Sequence, residues 1–142
     1  MGKSRIPFSK SNQEKHMVKN SNSIRWSCTV GINEGYDLTS QKSMPLDDFV
    51  KIYMDIAIEI FEETGTYISA VVAPSRTIYN SDWGCPQEGE FSYTISGFCN
   101  PEFSTEEEFR MALNAMICKL KERLNQCTAL LEILPTELIY YS

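Results

Sequence analysis

The sequence predicts an α+β sandwich of the ferredoxin-like βαββαβ type: an antiparallel four-stranded sheet with two helices on one face. Two observations carry this. Ile24, Trp26, Cys28, Val30 and Ile32 alternate with Arg25, Ser27, Thr29 and Gly31, and Phe91, Tyr93 and Ile95 alternate with Ser92, Thr94 and Ser96. Such period-two patterns mark strands with one buried and one polar face. An amphipathic helical segment follows each of these strands, and the two halves together predict the sheet order 4-1-3-2. This architecture hosts many unrelated activities, so the fold alone assigns none.

Residues 1–22 are rich in Ser, Asn and Lys without periodicity and read as a basic, flexible tail ahead of a single domain at 23–142. The first strand is expected at 23–32, followed by a turn-rich stretch through Lys42. The first helix opens at Ser43-Met44-Pro45, with Ser as the cap and Asp47 and Asp48 in a first turn that favours negative charge. Gly65, just past Thr64, ends it. The second strand runs over 67–73, is broken by Pro74, and has a possible extension at 76–79. A loop at 80–89, too long for a tight hairpin, leads to a third strand at 90–98. Asn100-Pro101 ends it, and Ser104-Thr105-Glu106-Glu107-Glu108 forms a capping box for a second helix reaching about Asn125. The fourth strand covers 127–134, and after Pro135 a short extended end spans 137–141.

The chain has 142 residues, 42% of them apolar, enough for one core. It has no apolar run of membrane-spanning length, and no apolar stretch follows the N-terminal lysines as a secretory signal would require. Ile6 stands where myristoylation needs Ser or Thr. Five cysteines, an odd number without a Cys-x-x-Cys pair, read as reduced thiols and predict a cytoplasmic protein with neither a disulfide framework nor a zinc site. Residues 1–25 carry a net charge of +5 and the remainder −11. An acidic body repels phosphate backbones, and the outward positions of the central strands hold no aromatic residue on which a base would stack, so nucleic acid is not an expected partner.

In the second helix Phe109, Ala112, Leu113, Met116, Ile117, Leu120 and Leu124 share one side, as in an ordinary amphipath. The first helix is broader. Beside its sheet-facing stripe of Phe49, Ile52, Tyr53, Ile56, Ala57 and Ile60 runs a second one, Val50, Met54, Ile58 and Phe61. That stripe either packs against the second helix or is exposed and mediates self-association. Met111 and Cys118 line up on the polar side of the second helix, and together these residues predict a homo-oligomer.

Chemistry is expected where the loop after strand one meets the loop between strands two and three. This would gather Asn33, Glu34, Tyr36 and Asp37 near Asp82, Trp83, Cys85 and Glu88, with Arg25 or Arg76 as basic contacts. Aromatic, amide and carboxylate groups in this combination suit a small polar ligand or a basic peptide. No spacing signature marks a metal site or a cofactor. A Cys85 nucleophile would depend on His16, the single histidine, far away in the tail. Gly2-Lys3-Ser4 lacks the rest of a phosphate loop. The expectation is therefore a non-catalytic, acidic inhibitor or adaptor that contacts a protein partner. The alternative is a nucleotide- or metabolite-binding protein that uses loops 33–42 and 80–89 or a cleft between subunits.

Overall fold

The computed structural model describes residues 18–34 and 41–142. The elements are β1 (Val18–Gly31), α1 (Leu46–Thr64), β2 (Val71–Thr77), a 3-10 turn (Ser81–Trp83), β3 (Glu90–Phe98), α2 (Glu106–Arg123) and β4 (Leu130–Tyr141). The sheet order is β2-β3-β1-β4 with every neighbouring pair antiparallel, which is the predicted ferredoxin-like arrangement. Trp26, Cys28, Val30, Tyr93 and Ile95 form the covered face. Phe49, Ile56 and Ile60 of α1 and Phe109, Leu113, Met116 and Leu120 of α2 pack onto it and complete the core.

Both edge strands run through a proline. Pro74 lies inside β2 opposite Tyr93, and Pro135 lies inside β4 opposite Ile24. A proline interrupts a strand only where its missing N–H is needed for pairing, and an edge strand leaves one side free. The fourth strand is thus continuous where a break at Pro135 was expected. β1 also starts at Val18, earlier than its alternation implies: Val18 to Ser23 pair with Tyr141 to Thr136. That Lys-Asn-Ser-Asn-Ser run has weak strand preference of its own, and its partner strand imposes the extended form. Residues 1–17, which hold the rest of the expected tail and His16, lie outside the described residues.

The helix ends follow local rules, with one exception. Thr105 and Glu108 make the predicted reciprocal capping box, and Gly65 adopts the left-handed conformation at φ 81° and donates to Phe61 O. The expected Ser43 cap is absent; Pro45 occupies the cap position with no side-chain hydrogen bond, and its carbonyl accepts from Asp48 and Phe49 N–H.

The two helices meet through charge. Glu59 pairs with Arg123 at 3.0 Å and Lys119 at 3.4 Å, and Glu63 pairs with Lys119 at 3.3 Å. Arg123 and Lys119 hold the Glu59 carboxyl below its ordinary range. At about 100° per residue, this flank of α1 lies opposite the Val50, Met54, Ile58 and Phe61 stripe. The second apolar stripe therefore faces away from α2. Phe61 turns edge-on to Tyr67, Val50 is half-buried, and Met54 and Ile58 remain 49% and 46% exposed. Met111 and Cys118 are exposed on α2. Among the described residues no helix is long and apolar enough to cross a membrane.

Candidate functional site

Where β1 ends, three amide side chains tie four segments together. The Asn33 side chain pairs with the backbone of Lys42 in both directions: Nδ2 donates to Lys42 O at 3.0 Å, and Oδ1 accepts from Lys42 N at 2.9 Å. Gln41 reaches across to β3, where Nε2 donates to Gly89 O at 2.9 Å and Glu88 Oε1 at 3.2 Å. Its Oε1 accepts from Phe91 N at 2.8 Å. Gln126, between α2 and β4, donates from Nε2 to Asn33 O at 2.9 Å and Leu124 O at 3.1 Å. Apart from the Gln41–Glu88 bond, each contact satisfies a backbone group.

Beside this frame is an open cleft of about 430 Å³ lined by Ile32, Asn33, Glu34, Lys42, Ser43 and Met44. That volume falls in the range of about 300–1,000 Å³ usual for small-molecule sites. Met44, one of its lining residues, is held by Tyr93, which stacks on Phe49 with ring centroids 4.2 Å apart and donates its hydroxyl to Met44 O. Burial pushes the Tyr93 hydroxyl up, with the nearby Asp48 adding to the shift.

The polar groups around the frame are Glu88, Glu90 and Arg76. Arg76 donates to Glu88 O at 2.8 Å and lies 4.7 Å over the Phe91 ring. Glu90 opens β3, and partial burial raises its carboxyl above the ordinary range, opposed by a hydrogen bond with Tyr79. Across the outer sheet face, hydroxyls form a continuous chain from Thr29 through Thr94, Ser75 and Ser92 to Thr77, with spacings of 2.9 to 3.1 Å. Ser92, on the polar face of its strand, is buried in that chain. Among the described residues no three His, Cys, Asp or Glu side chains gather as a metal-binding group.

The two loops thus converge, joined by Gln41 bonding to Glu88 and Gly89, and this end of the sheet holds Asn33, Glu34, Arg76 and Glu88. Tyr36 and Asp37 lie outside the described residues. Asp82 and Trp83 ride on the 3-10 turn, where Asn80 caps the Asp82 N–H and Trp83 is 73% exposed. Arg25 is elsewhere: it sits opposite Phe98 and Leu134, six residues back along β1 from Gly31, or roughly 20 Å at the rise of a strand. The Cys85 thiol is engaged within its own loop, accepting from Tyr79 N and facing Pro86 O at 3.4 Å. All five cysteines are free thiols. Gly31, Gln41, Glu90 and Gln126 carry no spacing signature, and the alternation marks Glu90 only as the first outward residue of its strand.

Two solved structures of a phage SAM lyase share this architecture. One is a complex with S-methyl-5'-thioadenosine, at 22% identity and a TM-score of 0.56, covering 84% of this chain and 88% of that one. The other is the apo state, also at 22% identity, with a TM-score of 0.58 and coverage of 85% and 89%. At this identity the likeness is one of fold. No curated protein matches the chain. The family model described as SAM lyase matches residues 21–142, which take in both helices, β2, β3, β4 and nearly all of β1. This overturns the expectation of a non-catalytic inhibitor or adaptor, because the matched family is one of enzymes, and the comparisons give no support to a protein partner. An acidic composition and the lack of a nucleophile–base pair had pointed away from catalysis, yet a lyase requires neither a basic surface nor a side-chain nucleophile. By that match across its folded domain, the chain belongs to the SAM lyase family.

Proposed function

We propose that this protein is a lyase that cleaves S-adenosylmethionine and releases S-methyl-5'-thioadenosine. The family match over residues 21–142 carries the proposal, and the complex of the phage SAM lyase with S-methyl-5'-thioadenosine supports this product. S-adenosylmethionine is a sulfonium. When the bond from sulfur to the four-carbon chain breaks, the electron pair stays on sulfur and neutral S-methyl-5'-thioadenosine leaves. A lyase adds no water, so the four-carbon fragment must close on its own carboxylate or lose a proton beside the broken bond. Sulfonium cleavage asks the protein chiefly to bind and orient a substrate whose leaving group is already activated.

The body of the chain suits a cationic substrate. From residue 26 onward it carries a net charge of −11, a field that attracts a sulfonium and holds the neutral thioether product less strongly. The cleft at Asn33, Glu34 and Lys42 is the proposed site, with Arg76 and Glu88 at its frame. The test is incubation of the purified protein with S-adenosylmethionine, followed by chromatography with mass detection. S-methyl-5'-thioadenosine should accumulate beside a four-carbon product that lacks an added water. Absence of the thioether from an active-folded sample overturns the reading. A product one water heavier from the outset makes the reaction a hydrolysis.

The exposed flank of α1 supports assembly into a homo-oligomer. Met54 and Ile58 stand out of the fold on the side turned away from α2, and apolar surface of this kind on a small domain suits a second copy. Light scattering should give a mass above the 16.2 kDa of one chain.

A further inference from the structure

Before Arg25, the edge of β1 that faces β3 in the rest of the sheet has no strand beside it. The last β1–β3 pair is Arg25 with Phe98, while the β1–β4 pairing runs on to Val18 with Tyr141. Ile24 O still accepts from Cys99 N on that edge. Backbone groups alternate sides along a strand, so those of Asn22, Asn20 and Val18, in step with Ile24, point the same way. All three residues are exposed, and among the described residues nothing bonds their backbone on that side. Val18 is 57% exposed. Tyr141 and Ile139 stand directly opposite Val18 and Asn20, hence on the same face, and are 71% and 45% exposed.

An open strand edge is a template for another extended segment, and natural sheets blunt or cover such edges. The outer strands of this sheet carry Pro74 in β2 and Pro135 in β4, but the 18–22 edge has no proline. Its surroundings are acidic. Glu102 lies beside it, 2.8 Å from Lys19 Nζ, Glu137 stands opposite Asn22, and Glu106, Glu107 and Glu108 open α2 a few residues after Glu102. The residues that lead into Val18 are basic. Residues 1–17 carry Lys3, Arg5, Lys10 and Lys15 against Glu14, a net charge of +3. Residues 18–142 carry nine Lys and Arg against eighteen Asp and Glu, or −9. The match to the SAM lyase family begins at residue 21, so it assigns this segment no role.

We propose that the open 18–22 edge is the docking site of this chain's own residues 1–17, which turn back at Val18 and pair along it. A return of about four residues, 14–17, is an ordinary hairpin loop and sets residues 9–13 antiparallel to 18–22. Ser-Lys-Ser-Asn-Gln at 9–13 is as polar as the run from Lys19 to Ser23, which is extended because its partner strand imposes that form. Pro7, with no N–H to give, ends the pairing. Lys10 then falls on the side of Glu102, and Arg5 and Lys3 continue toward the acidic first turn of α2. The direct connection favours this occupant over any free one, because a short tether holds the segment at an effective concentration of about millimolar. The docking is independent of the lyase reading and lies at the end of the sheet away from the cleft.

Amide hydrogen exchange of the full chain, resolved by residue with NMR, tests the docking. The N–H groups of Val18, Asn20 and Asn22 should be protected in the unaltered protein. Ser9→Pro combined with Ser11→Pro removes two N–H groups from the docked segment and should speed exchange at Asn20 and Asn22 by about tenfold or more, as local opening frees them. Lys3→Glu combined with Lys10→Glu should act in the same direction by opposing the charge attraction. Ile95, in the core, should exchange as before in both variants, which shows the domain intact. Fast exchange of the three amides in the unaltered protein overturns the proposal, as does protection that neither variant disturbs. Protection that rises with protein concentration, with contacts between labelled and unlabelled copies, also overturns it, because the occupant is then a second copy.

Discussion

At the end of the sheet where β1 finishes, side chains do the joining. Asn33, Gln41 and Gln126 each bond backbone groups of another segment, so the cleft, β3 and the segment after α2 are held in one frame. At the opposite end the backbone does the joining. β1 and β4 run on as a two-stranded ribbon past the last β1–β3 pair, Arg25 with Phe98. The ribbon carries exposed Val18, Ile139 and Tyr141 and is tied to the domain by Ser23 bonding to Cys99 O and by the Lys19–Glu102 ion pair. Ladder pairing depends little on which residues supply it, whereas the amide frame depends on three particular side chains. The proposed site lies at the framed end.

The contrast breaks first at the packing behind Met44. Phe49→Ala removes a fully buried ring stacked on Tyr93 and should cost about 3–5 kcal/mol, read as a drop in the urea midpoint. Gln41→Leu should come next. It strips partners from Phe91 N–H and Gly89 O, which predicts a loss of about 1–3 kcal/mol together with reduced thioether release. Lys19→Ala at the ribbon end, which removes a solvent-exposed ion pair, should leave both the midpoint and the activity unchanged. A drop as large as that of Gln41→Leu would erase the distinction between the ends.

The smallest effect concerns pH. The folded protein raises the Glu90 carboxyl through burial, so folding favours its neutral form. Its contribution to stability is full below the pKa of the unfolded chain and is lost as pH rises through the folded value. Melting curves from pH 4 to 7 should show Glu90→Gln gaining on the unaltered protein as pH rises. The variant should be at least as stable as the unaltered protein at neutral pH. The reverse trend would mean that the folded protein stabilises the carboxylate in place.

Much of the fold was legible because its signals are local. Alternation placed β1 and β3, the spacing of Phe109 through Leu124 placed α2, and Thr105 with Glu108 marked its start. The edge strands were read less well: a proline signals a break only if its strand is paired on both sides, and pairing is not local. The meeting of the two loops was legible, and it brings Asn33, Glu34, Arg76 and Glu88 to one end of the sheet. Arg25 lies apart from them because alternation gives the face of a strand and not the distance along it to a partner. Gln41 and Gln126 were not singled out because they bond backbone groups up to 93 residues away, which no pattern in their own neighbourhoods records.

Patterning by itself determined the βαββαβ order, the covered face and the acidic body, since each follows from residue type and period along one segment. Which flank of α1 meets α2 was decided only by the tertiary structure, through Glu59 and Glu63 meeting Arg123 and Lys119. So was the convergence of Glu90 and Gln126 on Gly31. Groups from separate segments approach one small residue only after the sheet has closed, so no pattern along the chain records their meeting.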